Sequence, residues 1–130
     1  MISEVVKSYP KSAQRKFQEI RSLVFDVAEA NQLGEVTETL KWGEPSYLCK
    51  TGSTVRIHWR SKTPDSMGIF FNCNTVLIET FKEVFQDSLN YEGNRAVVIP
   101  LERQLPSDVS SCLLMALNYH KLKKMPLLGA

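Results

Sequence analysis

The spacing of the apolar residues changes from a helical to a strand period after about residue 31, and this change most constrains the fold. Before it, apolar residues recur at steps of four and three, which places them on one side of a helix. Pro10 fits the first turn of that helix, because its missing N–H has no intrahelical partner there. The pattern predicts a helix over about residues 10 to 31, with an apolar face formed by Ala13, Phe17, Ile20, Val24 and Val27.

The middle of the chain alternates apolar and polar residues in short runs, which is typical of strands. The clearest run, TVRIHWRS, puts Val55, Ile57 and Trp59 on one face and the basic residues between them on the other. The nearly continuous apolar run MGIFFNC predicts a central strand. The segment KTGST predicts a hairpin-type turn in which Gly52 is free to adopt a positive φ.

Helical spacing returns in NTVLIETFKEVF and again after Pro106, with two short strands between these segments. The predicted order is therefore α-β-β-β-β-α-β-β-α, and most strands are consecutive. Such strands form a largely antiparallel sheet with the helices packed on one face, which is a two-layer α+β fold. The other face then meets solvent or a ligand.

The length of 130 residues suits one domain. We expect its core to span about residues 5 to 124, followed by a short apolar tail at 125 to 130. That tail either docks on the domain or covers a second copy in a homodimer.

Charge and composition limit the partners that we expect. A net charge of +2 is too weak to indicate nucleic acid, and no apolar run approaches the roughly 20 residues that span a membrane. The segment MISEVVKSYPKS lacks the basic and apolar parts of a signal peptide. The three cysteines form no CxxC pair, so we expect a cytoplasmic protein whose free cysteines pack in its core.

The stretch TLKWGEPSYL interrupts the strand pattern with a Trp-Gly-Glu-Pro corner. Gly43 permits a tight turn and Pro45 keeps the preceding residue out of the helical region, so the backbone explains both. Trp42, Glu44 and Tyr47 have two interpretations. They form the wall of a ligand pocket, with flat apolar surface and a carboxylate, or they fill the edge of the core.

Arg56, His58 and Arg60 share one face of the clearest strand. With Lys41 on a strand expected to lie alongside, they would bind a phosphate or carboxylate. The alternative is a solvated face on which each arginine pairs with a neighbouring carboxylate. Positive charge around His58 is expected to keep it neutral at pH 7.

Metal binding and catalysis have weaker support in the sequence. Cys49, His58 and Cys73 lack the spacing of a metal site. No nucleophile elbow of the GxSxG type is present. We therefore predict neither a catalytic residue nor a metal ligand.

Motifs along most of the chain resemble a known family. They are, in order, a Pro-opened helix with Arg15 and Arg21, the corner Trp42-Gly43-x-Pro45-x-Tyr47, then Gly93-x-Arg95, Ile99-Pro100 and Leu105-Pro106. This order resembles the YdhG-like family, also called domain of unknown function 1801, over about residues 5 to 122. The resemblance implies a domain of mostly uncharacterised activity, with one branch described as a frataxin-like intracellular iron chaperone.

An iron chaperone of that type relies on a ridge of carboxylates, because iron prefers hard oxygen ligands that are grouped together. Here the first long helix is mainly basic, and the acidic candidates Glu35, Glu38 and Glu44 lie beyond it. We therefore favour a non-catalytic binding module for a small or anionic ligand. The alternatives are an iron chaperone and a protein-interaction domain that uses the open sheet face. The favoured hypothesis assigns ligand binding to Trp42, Glu44, Tyr47, Arg56, His58 and Arg60.

Overall fold

The computed structural model describes all 130 residues and places a layer of helices on one face of a six-stranded sheet. The helices are α1 (Ile2–Lys7), α2 (Lys11–Ala30), α3 (Leu77–Phe85), α4 (Asp108–Leu117) and α5 (Tyr119–Leu122). The strands are β1 (Thr37–Lys41), β2 (Glu44–Leu48), β3 (Val55–Trp59), β4 (Ser66–Phe71), β5 (Asn90–Glu92) and β6 (Ala96–Pro100). Short 3₁₀ turns cover Gln86–Ser88 and Pro126–Gly129.

The strand order is β1-β2-β3-β4-β6-β5, and every neighbouring pair is antiparallel. After β4 the chain passes through α3 to the edge strand β5 and then turns back, so that β6 lies beside β4. As its apolar sequence predicts, β4 is central, and every residue after its first is buried. The α+β class and the predicted element order are confirmed, with α1 and α5 as additional short helices.

The longest helix, α2, begins and ends within one residue of its predicted bounds. Its apolar stripe packs on the sheet, and Phe17, Ile20 and Val24 have no exposed surface. The sequence pattern does not predict α1, because a helix of six residues with one buried side chain, Val6, shows too little periodicity.

The residues of β3 alternate between two faces, as predicted. Val55 and Ile57 are fully buried in an apolar cluster beneath the helices, on what we call the inner face. Arg56 and His58 are half-buried on the opposite, outer face. Phe70 lies opposite Arg56 in the pairing of β3 with β4, so it shares the outer face.

The loop between β2 and β3 differs from the turn that KTGST predicts, because Gly52 does not adopt a positive φ. Its backbone instead approaches the end of α4 closely, and a Cβ added to Gly52 would lie 2.3 Å from the carbonyl oxygen of Leu117. The adjacent amide of Ser53 donates to the carbonyl of Ala116 at 2.8 Å. Glycine is needed here for close approach, and the loop satisfies a carbonyl at the end of α4.

The apolar tail docks on its own chain. Leu128 is buried and belongs to the core cluster, and its 3₁₀ turn contacts α3 and α5. Of the two alternatives for the tail, the structure therefore shows docking on the domain. None of the helices has the length and apolar character needed to cross a membrane.

Candidate functional site

The hairpin between β1 and β2 turns at Trp42 and Gly43. Lys41 and Glu44 are its last paired residues, which leaves a two-residue loop. The φ angle is 52° at Trp42 and 78° at Gly43, as a type I′ turn requires. Asparagine or glycine usually occupies the first position, because a bulky side chain is strained at positive φ. Trp42 is also 88% exposed, so packing does not explain its presence.

The tip of this hairpin bends over the outer face. Although β2 separates β1 from β3, it pairs with β3 only at Ser46 and Tyr47, so Glu44 and Pro45 are paired with β1 but not with β3. Lys41 Nζ lies 3.4 Å from Thr54 Oγ1, on the residue just before β3. These contacts bring Trp42 close to the central strands from a turn at the edge of the sheet.

A cavity of about 550 Å³ lies beneath this hairpin tip, and we call it the Trp42 cavity. Trp42 lines it from the β1–β2 turn, Arg56 from β3, and Arg95 from the turn between β5 and β6. Residues 71 to 73, at the end of β4 and just beyond it, also line it. This volume is within the range of about 300 to 1,000 Å³ that is typical of small-molecule sites.

Three basic side chains, those of Lys41, Arg56 and Arg95, line the Trp42 cavity, and no acidic residue does so. Arg56 binds Glu44, with 3.0 Å between Nη1 and Oε1, whereas Lys41 and Arg95 form no ion pair. These three cations and the Glu44 carboxylate that binds Arg56 together carry a net charge of +2. Such a cluster attracts an anion most strongly where the protein excludes water.

The remaining polar groups of the cavity are neutral. Asn72 and Asn94 contribute amides, and Cys73 contributes an exposed thiol. The prediction that every cysteine packs in the core is wrong for Cys73, because β4 ends before it and the chain turns outward. Cys49 and Cys112 are buried as expected.

Sequence reasoning missed Arg95 and Cys73 as site residues. The sequence does signal a turn at Gly93 and Asn94, but not that this turn lies beside the end of β4. That position depends on the insertion of β6 between β4 and β5, which no local pattern encodes.

The structure places Arg60 away from the Trp42 cavity. Its guanidinium group binds the carboxylate of Glu92 on the outer face. Arg60 and His58 line a second cavity, of about 420 Å³, beside Tyr9 and the end of α1. Of the predicted basic trio, Arg56 alone lines the Trp42 cavity.

His58 faces both polar and aromatic neighbours. Its Nδ1 lies 3.4 Å from the hydroxyl of Tyr9. Burial lowers the pKa of His58, Glu44 opposes that shift, and Arg60 and Arg56 reinforce it. The predicted neutral state is therefore supported, but burial contributes more to it than the nearby positive charge.

Tyr47 lies on the inner face, with none of its surface exposed. Its hydroxyl donates to Glu38 Oε2 at 2.7 Å, and Arg21 donates to the same carboxylate through Nε and Nη2. The hydrogen bonds from Arg21 hold the pKa of Glu38 below its ordinary value, and burial raises the pKa of the Tyr47 phenol. This cluster is complete in itself and leaves Tyr47 no surface for a ligand.

Comparisons with family models, curated proteins and solved structures gave no match. The resemblance to the YdhG-like family therefore stays a prediction. No three histidine, cysteine, aspartate or glutamate side chains lie close enough together to hold a metal ion. The acidic candidates Glu38 and Glu44 lie on opposite faces of the sheet, and each is bound to an arginine.

Proposed function

We propose that this protein is a non-catalytic binding module for a small organic anion, which it holds in the Trp42 cavity. One observation carries the proposal. Lys41, Arg56 and Arg95 come from three separate parts of the fold to one cavity whose lining has no carboxylate. A sheet face that is only solvated would pair each cation with a neighbouring carboxylate, whereas Lys41 and Arg95 form no ion pair.

The geometry suits recognition of an oxyanion. Arg56 is held from one side by Glu44, which fixes the orientation of its planar donor group. Lys41 and Arg95 are free to close on a ligand from the two turns that border the cavity. Charge-assisted hydrogen bonds of this kind are about twice as strong as neutral ones.

Binding without chemistry is the simpler proposal for this cavity. Its thiol, Cys73, has no histidine or carboxylate among the lining residues to act as a base.

Cytoplasmic localisation belongs to the same proposal, since all three cysteines are free. The iron-carrier alternative needs grouped carboxylates, which the placement of Glu38 and Glu44 does not provide.

The accessible thiol supplies a direct test. Because Cys49 and Cys112 are buried, the neutral reagent iodoacetamide should alkylate Cys73 first in the folded protein, as peptide mass spectrometry can verify. We expect citrate, inorganic phosphate or AMP to slow this alkylation in a saturable way at constant ionic strength. If no anion of this panel slows the reaction, the proposed function is wrong.

Two variants that lose the same charge test whether the anion that protects Cys73 binds in the Trp42 cavity. Arg95→Gln removes a cavity cation that makes no ion pair, and Arg103→Gln removes an exposed arginine whose side chain makes no hydrogen bond. We expect Arg95→Gln to weaken protection of Cys73 by about tenfold, whereas Arg103→Gln leaves it unchanged. Equal weakening in both variants would show a general effect of net charge and would count against the cavity.

A further inference from the structure

Trp42 is poorly suited to the turn in which it lies. A type I′ turn is formed with less strain by asparagine or glycine at this position, yet the chain holds a tryptophan there at a φ of 52°. The indole gains little from the fold, since the side chain is an exposed large hydrophobic residue. A strained residue that the fold does not need is an indication of a role in ligand binding.

Arg95 and the indole lie on different sides of the Trp42 cavity, while Lys41 extends from the same hairpin as the indole and places its Nζ 3.4 Å from Thr54 Oγ1. Trp42 comes from the turn between β1 and β2 at one edge of the sheet, and Arg95 comes from the turn between β5 and β6 at the other edge. Arg56 lies between them on a central strand. A ligand that contacts all three therefore has a flat apolar part at one end and an anionic part at the other.

The number of cations favours a phosphate over a carboxylate as the anionic part. Elsewhere in this protein a single arginine, Arg21, satisfies a carboxylate with two hydrogen bonds, helped by one hydroxyl group. The Trp42 cavity has three cations, of which one is already shared with Glu44. Three separate donors suit the three terminal oxygens of a phosphate monoester, which carries nearly two negative charges.

From these observations we infer that the Trp42 cavity takes a phosphate monoester with a planar ring, of the size of a mononucleotide. This inference rests on the proposed function and specifies its ligand class. The ring stacks on the indole of Trp42, and the phosphate accepts hydrogen bonds from Lys41, Arg56 and Arg95. Stacking on tryptophan tolerates different rings, because every base has a π-face, so discrimination among the bases is expected to be weak.

The test compares AMP with ribose 5-phosphate, which has the phosphate but no ring, and with adenosine, which has the ring but no phosphate. The readout is protection of Cys73 from iodoacetamide at constant ionic strength. We expect AMP to protect at a concentration about tenfold lower than ribose 5-phosphate, because of stacking, and adenosine to protect least. Fluorescence in a Trp59→Phe background, where Trp42 is the only tryptophan, should be quenched by AMP and not by ribose 5-phosphate.

The matched variants are Trp42→Leu, which keeps an apolar side chain, and Trp42→Asn, which suits the turn. Both should remove the advantage of AMP over ribose 5-phosphate. Trp42→Asn should also keep or raise the thermal midpoint, since asparagine tolerates positive φ, which shows that the variant is folded.

The outcomes separate the two proposals. If AMP and ribose 5-phosphate protect the wild-type protein equally, the ring is not recognised and this inference is wrong, while the anion-binding function stands. If adenosine protects as well as AMP, the phosphate assignment is wrong. If citrate or inorganic phosphate protects but AMP and ribose 5-phosphate do not, this inference is wrong and the proposed function stands. If no anion protects, both fail.

Discussion

Phe70 and Phe71 are neighbours on β4 and are almost equally buried, with 4% and 2% of their surfaces exposed. Phe71 points to the inner face, where it meets Phe81 edge to face with 5.1 Å between ring centroids. Phe70 points to the outer face and lies outside the apolar cluster. The guanidinium carbons of Arg56 and Arg60 lie 5.5 and 5.3 Å from its ring centroid. One ring is thus buried by hydrocarbon, and the other is covered by cations.

The difference extends to the charged residues of the two faces. On the inner face, Arg21, Glu38 and Tyr47 bind one another, and none of the three lines the Trp42 cavity. On the outer face the cations outnumber the carboxylates that line the Trp42 cavity or bind its lining residues, and two of these cations form no ion pair. A closed cluster contributes to stability, whereas an open one is available to a ligand.

The largest expected contrast is between alanine substitutions of these two phenylalanines. Phe71→Ala should lower the free energy of unfolding by about 3 to 5 kcal/mol, because it leaves a cavity in a packed core. Phe70→Ala should lower it by about 2 kcal/mol, since the ring loses burial and cation–π contacts while the arginines regain water. Urea unfolding of both variants measures the difference. Equal losses would mean that the outer face is as tightly packed as the inner one.

Much of this contrast is predictable from the sequence. The alternation in VRIHW assigns Arg56 and His58 to the face opposite Val55 and Ile57, and the structure confirms that assignment. The side chains of β4 also alternate between the two faces, because a strand has a period of two residues regardless of what packs on either face. The two-layer fold follows from these faces and from the helical stripe of α2.

The pairing of Tyr47 with Glu38 was also accessible to sequence reasoning. A two-residue loop at Trp42 and Gly43 fixes the register, which brings Glu38 directly opposite Tyr47. Tryptophan hides this signal, because it is an unusual first residue in a type I′ turn. From the sequence alone, Tyr47 is therefore a ligand-binding candidate. The register that this turn sets places the Tyr47 side chain on the same face as Glu38.

The Trp42 cavity itself could not be predicted in this way. Its walls depend on how far β2 departs from β3 and on the placement of β6 beside β4. Both are tertiary arrangements that arise from packing and chain crossing, and neither leaves a periodic pattern in the sequence. Arg95 is therefore a cavity residue that only the three-dimensional structure identifies.

A second contrast, of intermediate size, compares one glutamate from each face. Glu38→Ala should lower the free energy of unfolding by about 2 kcal/mol, because it leaves the buried hydroxyl of Tyr47 without an acceptor. Glu44→Ala should cost less than about 1 kcal/mol, since Arg56 remains partly accessible to water. Chemical denaturation of the two variants measures both values.

A double-mutant cycle identifies the cause of the larger loss. If the orphaned hydroxyl is responsible, Tyr47→Phe should cost little or nothing in the Glu38→Ala background, although it is destabilising in the wild type. Additive losses from the two substitutions would show that the hydrogen bond between them is not the source of the effect.

The smallest expected contrast is between two carboxyl groups that affect how the free energy of unfolding falls at acid pH. Hydrogen bonds from Arg21 hold the pKa of Glu38 below its ordinary value, and hydrogen bonds from Arg60 do the same for Glu92 on the outer face. A carboxyl with a lower pKa in the folded state adds stability above its unfolded pKa of about 4.3. That stability is lost as the pH falls from there through the folded pKa.

Glu38→Gln and Glu92→Gln should therefore each flatten the decline of the unfolding free energy below about pH 4 to 5. The flattening should be larger for Glu38→Gln, because Glu38 also accepts from the hydroxyl of Tyr47. In 1 M NaCl, where the screening length is about 3 Å, the Glu92 contribution should shrink more, since a bond from a neutral hydroxyl is not screened. Thermal unfolding midpoints of the wild type and both variants, from pH 3 to 7 at two salt concentrations, measure the two contributions. If salt reduces the Glu38 contribution more than the Glu92 contribution, the proposed difference between the two faces is wrong.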